Sequence, residues 1–160
     1  MTEQVAHGVG DPEDRRRHLD YIQAVVKRMS VASSTTKSWL LPVITAAYGY
    51  ALSANVESVA LLGIAAVALF AFLDANYLRQ EQAYRRLYDA VVRGAREVPV
   101  FSLDPSYAAE PAVPAVNWWQ ATARILGRWI PDRKVWFSWS IAPFYGGLAL
   151  IGLVIYIGSR

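Results

Sequence analysis

The sequence predicts an all-α membrane protein with three membrane-spanning helices. The first observation is that apolar residues are concentrated in segments 39–77 and 135–157, whereas nearly all charged residues lie in 1–38 and 76–134. The second is that residues 135–157 contain no charged side chain. A helix crossing a hydrocarbon core of about 30 Å needs roughly 20 apolar residues, so this segregation is typical of a chain that crosses a bilayer.

The N-terminal part is predicted to be a disordered tail over residues 1–10, followed by a cytosolic amphipathic helix over 11–38. Asp11 can cap this helix, and Pro12 suits its first turn. Apolar residues then recur at spacings of three and four, which gives the helix one apolar stripe. We expect the stripe to pack on a second cytosolic helix, residues 76–97. The stripe consists of Leu19, Ile22, Val26 and Met29.

Residues 39–75 are predicted to form a transmembrane hairpin. Its first span covers about 39–52 and its second about 59–73, with a turn over 53–58. Pro42 predicts a kink unless the helix begins close to it. No breaking residue follows the second span, so it is expected to continue directly into the cytosolic helix 76–97.

Four prolines predict that residues 98–115 form a linker, although Phe101 can dock it onto the cytosolic helices. Residues 116–131 then form a predicted amphipathic helix with tryptophans on one side and arginines on the other. This pattern is typical of a helix that lies in the lipid headgroup region. The predicted interfacial anchors are Trp39, Trp118, Trp119, Trp129, Trp136 and Trp139.

The third span is predicted over residues 135–158. Pro143, followed by two glycines, predicts a bend about one third of the way along it. Ser138, Ala142 and Gly146 are spaced by four residues, which places small side chains on one face. Such stripes allow close helix approach in lipid, although Gly and Ala are also simply frequent in transmembrane helices.

The distribution of Lys and Arg predicts the orientation. Of the 16 basic residues, Arg160 is the one that follows the third span; the others precede the hairpin or lie between the hairpin and the third span. Positively charged flanks stay in the cytosol, so the N-terminus is predicted to be cytosolic and the C-terminus outside. We expect the bacterial inner membrane as the location.

The residues that carry chemistry predict no enzyme, no cofactor and no metal site. The chain has no cysteine, which excludes disulfides and thiolate ligands. Neither His7 nor His18 has the neighbouring ligands that a metal would require. Membrane lipids are the expected partners, and a nucleic acid polymer is not.

Asp74 is the polar residue most suggestive of function, at the cytosolic end of the second span. It can lie at headgroup level and pair with a basic side chain, or it can face the bundle interior and line an ion path, because ionisable groups at membrane depth are costly. Ser138 and Gly146 are further candidate pore-lining residues. Arginines near the membrane are candidates for binding lipid headgroups or an anionic nucleotide. They are Arg79, Arg85, Arg86 and Arg93.

Two sequence blocks carry a family resemblance. They are residues 18–29 with Lys37-Ser38-Trp39, and residues 73–81 with Tyr84-Arg85-Arg86-Leu87-Tyr88. Over about residues 15–95 the chain resembles a group of small uncharacterised bacterial membrane proteins. More loosely, it resembles the two-transmembrane effectors of nucleotide-signalling anti-phage systems, from which the third span departs.

This resemblance implies a homo-oligomer that perturbs or permeabilises the membrane when a cytosolic signalling partner or nucleotide is present. The alternative is a non-conducting anchor or adaptor subunit that recruits a cytosolic partner. Three spans in one chain cannot enclose a pore, so a conducting form would have to be an oligomer.

Overall fold

The structure is a computed structural model that describes residues 12–109, 117 and 133–159. Within these ranges the secondary structure is entirely helical. Three long helices are α1 (Pro12–Ala54), α2 (Glu57–Arg93) and α4 (Ala142–Gly158); between the last two lie a 3₁₀ helix (Pro105–Ala108) and the short α3 (Arg133–Trp136). The tail predicted over 1–10 and the interfacial helix predicted over 116–131, apart from residue 117, lie outside the described residues.

Helix α1 runs without interruption through the boundary that the sequence predicts between residues 38 and 39. It also continues through Pro42. An interior proline removes one backbone hydrogen bond and disfavours the helix by about 3 kcal/mol. Buried side chains on both sides of Pro42, namely Leu40, Ile44 and Tyr48, offset this cost by packing into a common core. The cytosolic helix and the first predicted span are therefore one element.

The turn between α1 and α2 is tighter than the predicted 53–58 segment. It consists of Asn55 and Val56, because α1 ends at Ala54 and α2 begins at Glu57. Asn55 adopts a left-handed conformation with φ of 51°, and the Val56 N–H donates to the Ala51 carbonyl over 3.2 Å. This is a common way to end a helix, and asparagine tolerates the left-handed conformation better than most residues.

Helix α2 contains both the predicted second span and the predicted cytosolic helix in one element, as the absence of a breaking residue predicts. By length and composition it is the one helix among the described residues that is apolar enough to cross a membrane; α4 is apolar but shorter. The structure thus confirms the all-helical class and one candidate spanning helix. The arrangement of three spans stays a prediction.

The third predicted span is not one continuous helix. Helix α3 ends at Trp136 and α4 begins at Ala142, so the chain turns before Pro143 and does not bend at it. Proline lacks the N–H that the first turn of a helix leaves unpaired, and Pro143 lies in that turn. The N–H groups of Ile141 and Ala142 both donate to the Ser138 carbonyl over 3.0 Å, which closes the turn.

The chain forms two compact units, each with its own buried residues. The polar unit comprises Met1–Arg28 and Glu81–Ala112, and the apolar unit comprises Met29–Gln80 and Val113–Arg160. In the polar unit, Ile22 and Val25 of α1 are buried, as are Leu87 and Ala90 of α2. The amide of Gln23 donates to the Tyr88 hydroxyl over 3.1 Å, which links the two helices within this unit.

The apolar unit is built around Tyr48, which reaches across three helices. Its hydroxyl donates to the Leu148 carbonyl of α4 over 3.1 Å. A Cβ atom on Gly63 of α2 would collide with the Tyr48 ring, and one on Gly152 of α4 would collide with its hydroxyl. Glycine is therefore needed at both positions for the helices to approach this closely.

The described part of the predicted linker docks onto α1 within the polar unit. We call residues 99–104 the strap. The Phe101 ring lies 6.2 Å from the His18 ring and 6.0 Å from the Tyr21 ring, measured between centroids. Asp104 then caps the 3₁₀ helix, because its carboxylate accepts from the Ser106 N–H over 2.8 Å. This hydrogen bond lowers the pKa of Asp104.

Candidate functional site

The most unusual group in the apolar unit is the carboxylate of Asp74, which is fully buried at 0 % exposure. It lies on α2 and forms an ion pair with Lys37 of α1, with 2.7 Å between Asp74 Oδ2 and Lys37 Nζ. The Ser33 hydroxyl, one turn before Lys37, donates to Asp74 Oδ1. The helical spacing of four residues brings Ser33 and Lys37 to the same face of α1.

The ammonium group of Lys37 contacts three polar side chains. Besides Asp74, its Nζ donates to Ser33 Oγ over 3.3 Å and to Ser140 Oγ over 3.1 Å. An ammonium group carries three N–H donors. Two of them are accepted by the serine hydroxyls, whereas the contact with Asp74 Oδ2 is an ion pair without a well-aligned hydrogen bond. Because Ser140 lies in the turn before α4, Lys37 joins α1, α2 and the start of α4. We call Ser33, Lys37, Asp74 and Ser140 the polar lock.

Tyr145 of α4 adds a buried hydroxyl beside the polar lock. This hydroxyl interacts with Asp74 electrostatically, yet it has no well-aligned hydrogen bond with any described residue. Asp74 therefore has a second hydrogen-bond donor close at hand if Lys37 moves away.

The polar lock is a candidate switch because the charges of Lys37 and Asp74 stabilise each other. Removing one partner of a buried ion pair typically costs about 3–5 kcal/mol, since the other charge is left without compensation. The Lys37 side chain keeps 22 % of its surface exposed, whereas that of Asp74 has none. Lys37 can therefore reach solvent or lipid headgroups, and Asp74 cannot do so without repacking of the helices.

Ser138 and Gly146, the other candidate pore-lining residues, do not share a helix face with each other. Ser138 lies in the turn between α3 and α4, and Gly146 is exposed on α4. The predicted small-residue stripe is therefore interrupted at its first member. A Cβ atom added at Gly146 would contact nothing within 4 Å, so no close helix approach within the described chain requires glycine there.

The four candidate arginines lie in different surroundings. Arg79 belongs to the apolar unit, whereas the other three belong to the polar unit. Arg85 is paired with Glu81, with 2.7 Å between Nη2 and Oε1. Arg86 and Arg93 line a shallow cleft of about 240 Å³ that also contains Asp89. Within the polar unit, Arg85 is therefore held in an ion pair, whereas Arg86 and Arg93 share a cleft.

The predicted interfacial tryptophans are described in part. Trp39 is exposed on α1, and Trp139 is 91 % exposed in the turn before α4. Trp136 is half-buried and packs against the core of the apolar unit. The remaining three, Trp118, Trp119 and Trp129, lie outside the described residues.

Sequence reasoning missed most of the polar lock. The sequence marks Lys37 as part of a positively charged flank and of a family-like block, but not as a partner of Asp74, and Ser33 and Ser140 carry no signal of their own. The Ser-Ser-Thr-Thr-Lys-Ser run of residues 33–38, just before an apolar segment, is the pattern that could have suggested a polar layer. The predicted hairpin already makes the two segments antiparallel, and pairing this run with Asp74 requires in addition the register that the two-residue turn sets.

No family model matches the chain, and no curated protein or solved structure is significantly similar to it.

Proposed function

We propose that the chain is a bacterial inner-membrane protein that assembles into homo-oligomers and permeabilises the membrane in response to a cytosolic signal. In this proposal the apolar unit lies among membrane lipids, and the N-terminus and the polar unit are cytosolic. The fold class, with one helix long and apolar enough to span a membrane, agrees with such a location.

The observation that carries the proposal is the full burial of Asp74, paired with Lys37, in a unit that exposes many of its leucines. Water-soluble domains bury leucines and expose ions. Lipid favours the reverse, because a charge exposed to hydrocarbon is costly and an apolar surface is not. The exposed leucines of the apolar unit are Leu41, Leu52, Leu61, Leu62, Leu69, Leu73, Leu150 and Leu153.

The polar lock gives this proposal a closed state and a route to an open one. While Lys37 holds Asp74, the carboxylate is sealed from its surroundings. Opening requires Lys37 to leave, after which the buried Tyr145 hydroxyl can donate to Asp74 in its place. The hydroxyls of Ser33 and Ser140 would then face a polar path formed between protomers, since three helices do not enclose a pore.

Reconstitution in dye-loaded liposomes tests the proposal, with particle mass measured on the same sample. We expect a ring of four or more protomers, and the Asp74→Asn variant should leak at least tenfold faster than the wild type. Tenfold corresponds to about 1.4 kcal/mol of lost preference for the closed state. Lys27→Met, which removes an exposed charge on the same helix, is the control and should leave leakage unchanged. Equal leakage of Asp74→Asn and wild type would exclude gating by the polar lock.

The alternative function is a non-conducting anchor or adaptor that recruits a cytosolic partner. It is favoured by the internal satisfaction of the polar lock, since Lys37 finds its acceptors within one chain and needs no second copy. A tight monomer or dimer that does not leak, and that co-purifies with a soluble partner, would support the anchor and exclude the pore.

A further inference from the structure

The polar unit contains an open cleft of about 550 Å³ next to the end of α2. This volume is within the range of small-molecule sites, roughly 300–1,000 Å³. Its walls come from the start of α1, the last turn of α2 and the segment that leads into the strap. The residues that matter here are Arg15, His18, Arg93, Arg96, Val98 and Val100.

The charge of this cleft has one sign. Three arginines line it, and none of its lining residues is acidic. The side chain of Arg93 forms no ion pair or hydrogen bond with any other residue in the described ranges. Arg15 uses a single nitrogen, Nη2, to donate to the Val91 and Val92 carbonyls over 3.0 and 2.5 Å. A guanidinium has five N–H donors, so Nε and Nη1 of Arg15 are available to a ligand.

The carbonyl end of α2 opposes anion binding but does not outweigh the arginines. A helix C-terminus is equivalent to about half a negative charge. Arg15 already covers the carbonyls of Val91 and Val92. Arg93 and Arg96 add two further positive charges to the same cleft. The balance of charge in the cleft therefore favours an anion.

The backbone beside the cleft adopts the left-handed conformation at two residues, which is costly at the one that is not glycine. Gly94, at the end of α2, has a φ of 60°, and Phe101 of the strap has a φ of 63°. A bulky residue in the left-handed region costs free energy and persists only where the surroundings enforce it. Here the enforcing contacts are the rings of His18 and Tyr21, together with the hydrogen bond of 2.7 Å between His18 Nε2 and the Ser102 carbonyl. Because a carbonyl can only accept, Nε2 carries the proton.

We propose that this cleft, formed by Arg15, Arg93 and Arg96 against the strap, binds the phosphate group of a small ligand. Arginines bind phosphate through paired N–H donors, and the valines beside them offer an apolar surface to the rest of the ligand. The proposal rests on the proposed function, for which it names the chemistry of the cytosolic signal. It also replaces the four arginines that the sequence suggested, of which only Arg93 lines this cleft.

Two sources can supply such a phosphate, and they are tested separately. The first is a soluble compound, for which inorganic pyrophosphate and adenosine monophosphate serve as probes. They are titrated calorimetrically against the full chain in nanodiscs of phosphatidylcholine. The second is a lipid headgroup, for which native mass spectrometry compares retained phosphatidylglycerol with retained phosphatidylcholine in nanodiscs that contain both.

Arg93→Gln is the decisive variant, because Arg93 lines the cleft without holding another described residue in place. The variant removes a charged donor that would bind the phosphate, so we expect the Kd of the bound probe to rise at least tenfold. Arg93→Lys keeps the charge but loses the paired donors, so its Kd should lie between those of the wild type and of Arg93→Gln. Arg28→Gln, which removes an exposed charge from the same unit outside the cleft, should bind like the wild type.

The outcomes separate the ligand proposal from the proposed function. Binding of a soluble probe, or selective retention of phosphatidylglycerol, supports the cleft if Arg93→Gln weakens it and Arg28→Gln does not. The proposal is overturned if neither source binds, or if both variants bind equally well. Leakage is measured independently on the same samples. Arg93-dependent binding to a chain that never leaks would support the phosphate-binding cleft and reject membrane permeabilisation. Leakage without such binding would support permeabilisation and reject the cleft.

Discussion

Lys37 shows how a single side chain can fix the register of three chain segments. Two serine hydroxyls accept hydrogen bonds from its ammonium group, and the Asp74 carboxylate forms an ion pair with it. Lysine suits this role because its charge is compact and its stem is flexible. Its hydrophobic stem can lie along the α1–α2 contact while its charged end reaches Ser140.

The Lys37→Met substitution tests the contribution of this single side chain to stability. Methionine keeps the apolar volume but leaves the Asp74 carboxylate buried without a cation. We expect the free energy of unfolding to fall by about 3 kcal/mol or more, measured by titration with a denaturing detergent. Lys37→Met with Asp74→Asn should recover much of this loss, because the remaining amide is neutral.

The control for this prediction is Lys27→Met, at an exposed position of the same helix. It should change the unfolding free energy by no more than about 0.5 kcal/mol. A Lys37→Met chain as stable as the wild type would mean that the ion pair contributes nothing, and the polar lock would lose its basis.

At the scale of helices, close approach in the apolar unit depends on where side chains are missing. Alanines and glycines lie on the buried face of α2, including Ala60, Gly63, Ala71 and Ala75. Small side chains let helix backbones approach each other closely, which is how helices associate in lipid. Tyr48 then fills the remaining space between α2 and α4.

This packing predicts different effects for two glycines on α4. Gly152→Ala places a methyl group where the Tyr48 hydroxyl and the Ile64 side chain already lie, so we expect a loss of about 1–3 kcal/mol of stability. Gly146→Ala adds the same methyl group to open space on the same helix, and should be neutral or slightly stabilising because alanine favours helix. Thermal unfolding of the two variants in one detergent measures the difference.

The reverse ranking of the two variants would mean that the exposed face of α4 carries a contact that is more important than the Tyr48 junction. Since a Cβ atom at Gly146 would meet nothing within 4 Å in the described part of the chain, such a result would point to packing between protomers. The pair thus separates packing inside the protomer from packing in an oligomer.

At the scale of the whole molecule, the sequence predicts the helical class well and the helix boundaries less well. Segregation of apolar and charged residues identifies the membrane-like segments because it is a one-dimensional property of the chain. The continuity of α1 through Pro42 depends on side chains of other helices that pack on either side of it. The start of α4 at Ala142 depends on the turn that Ser138 closes.

Candidate sites were harder to predict for the same physical reason. Asp74 could be identified, because a carboxylate beside an apolar run is conspicuous in a sequence. Its partner Lys37 could not, since several basic residues lie near the predicted hairpin and the choice among them depends on the helix register that the two-residue turn sets. The cleft of the polar unit depends likewise on Arg15 meeting the end of α2. Of the three arginines that line this cleft, the sequence analysis therefore identified only Arg93 as a candidate ligand-binding residue.

The proposed orientation gives the last prediction, and the absence of cysteine makes it simple to test. The chain has no thiol of its own, so one introduced cysteine is the only site that a maleimide can label. Ser53 is exposed at the end of α1, and Arg16 is exposed near its start. With positively charged segments in the cytosol, Ser53→Cys should react with a membrane-impermeant maleimide in intact spheroplasts, and Arg16→Cys only after lysis.

Each other labelling pattern has a definite meaning. Labelling of Arg16→Cys but not Ser53→Cys in intact spheroplasts would invert the orientation and place the arginine cleft outside, where a cytosolic ligand cannot reach it. Protection of both cysteines until lysis would mean that the α1–α2 turn does not cross the membrane. The apolar face of α2 would then pack against protein, and permeabilisation would lose its structural basis. Labelling thus shows which side of the membrane each end of α1 faces.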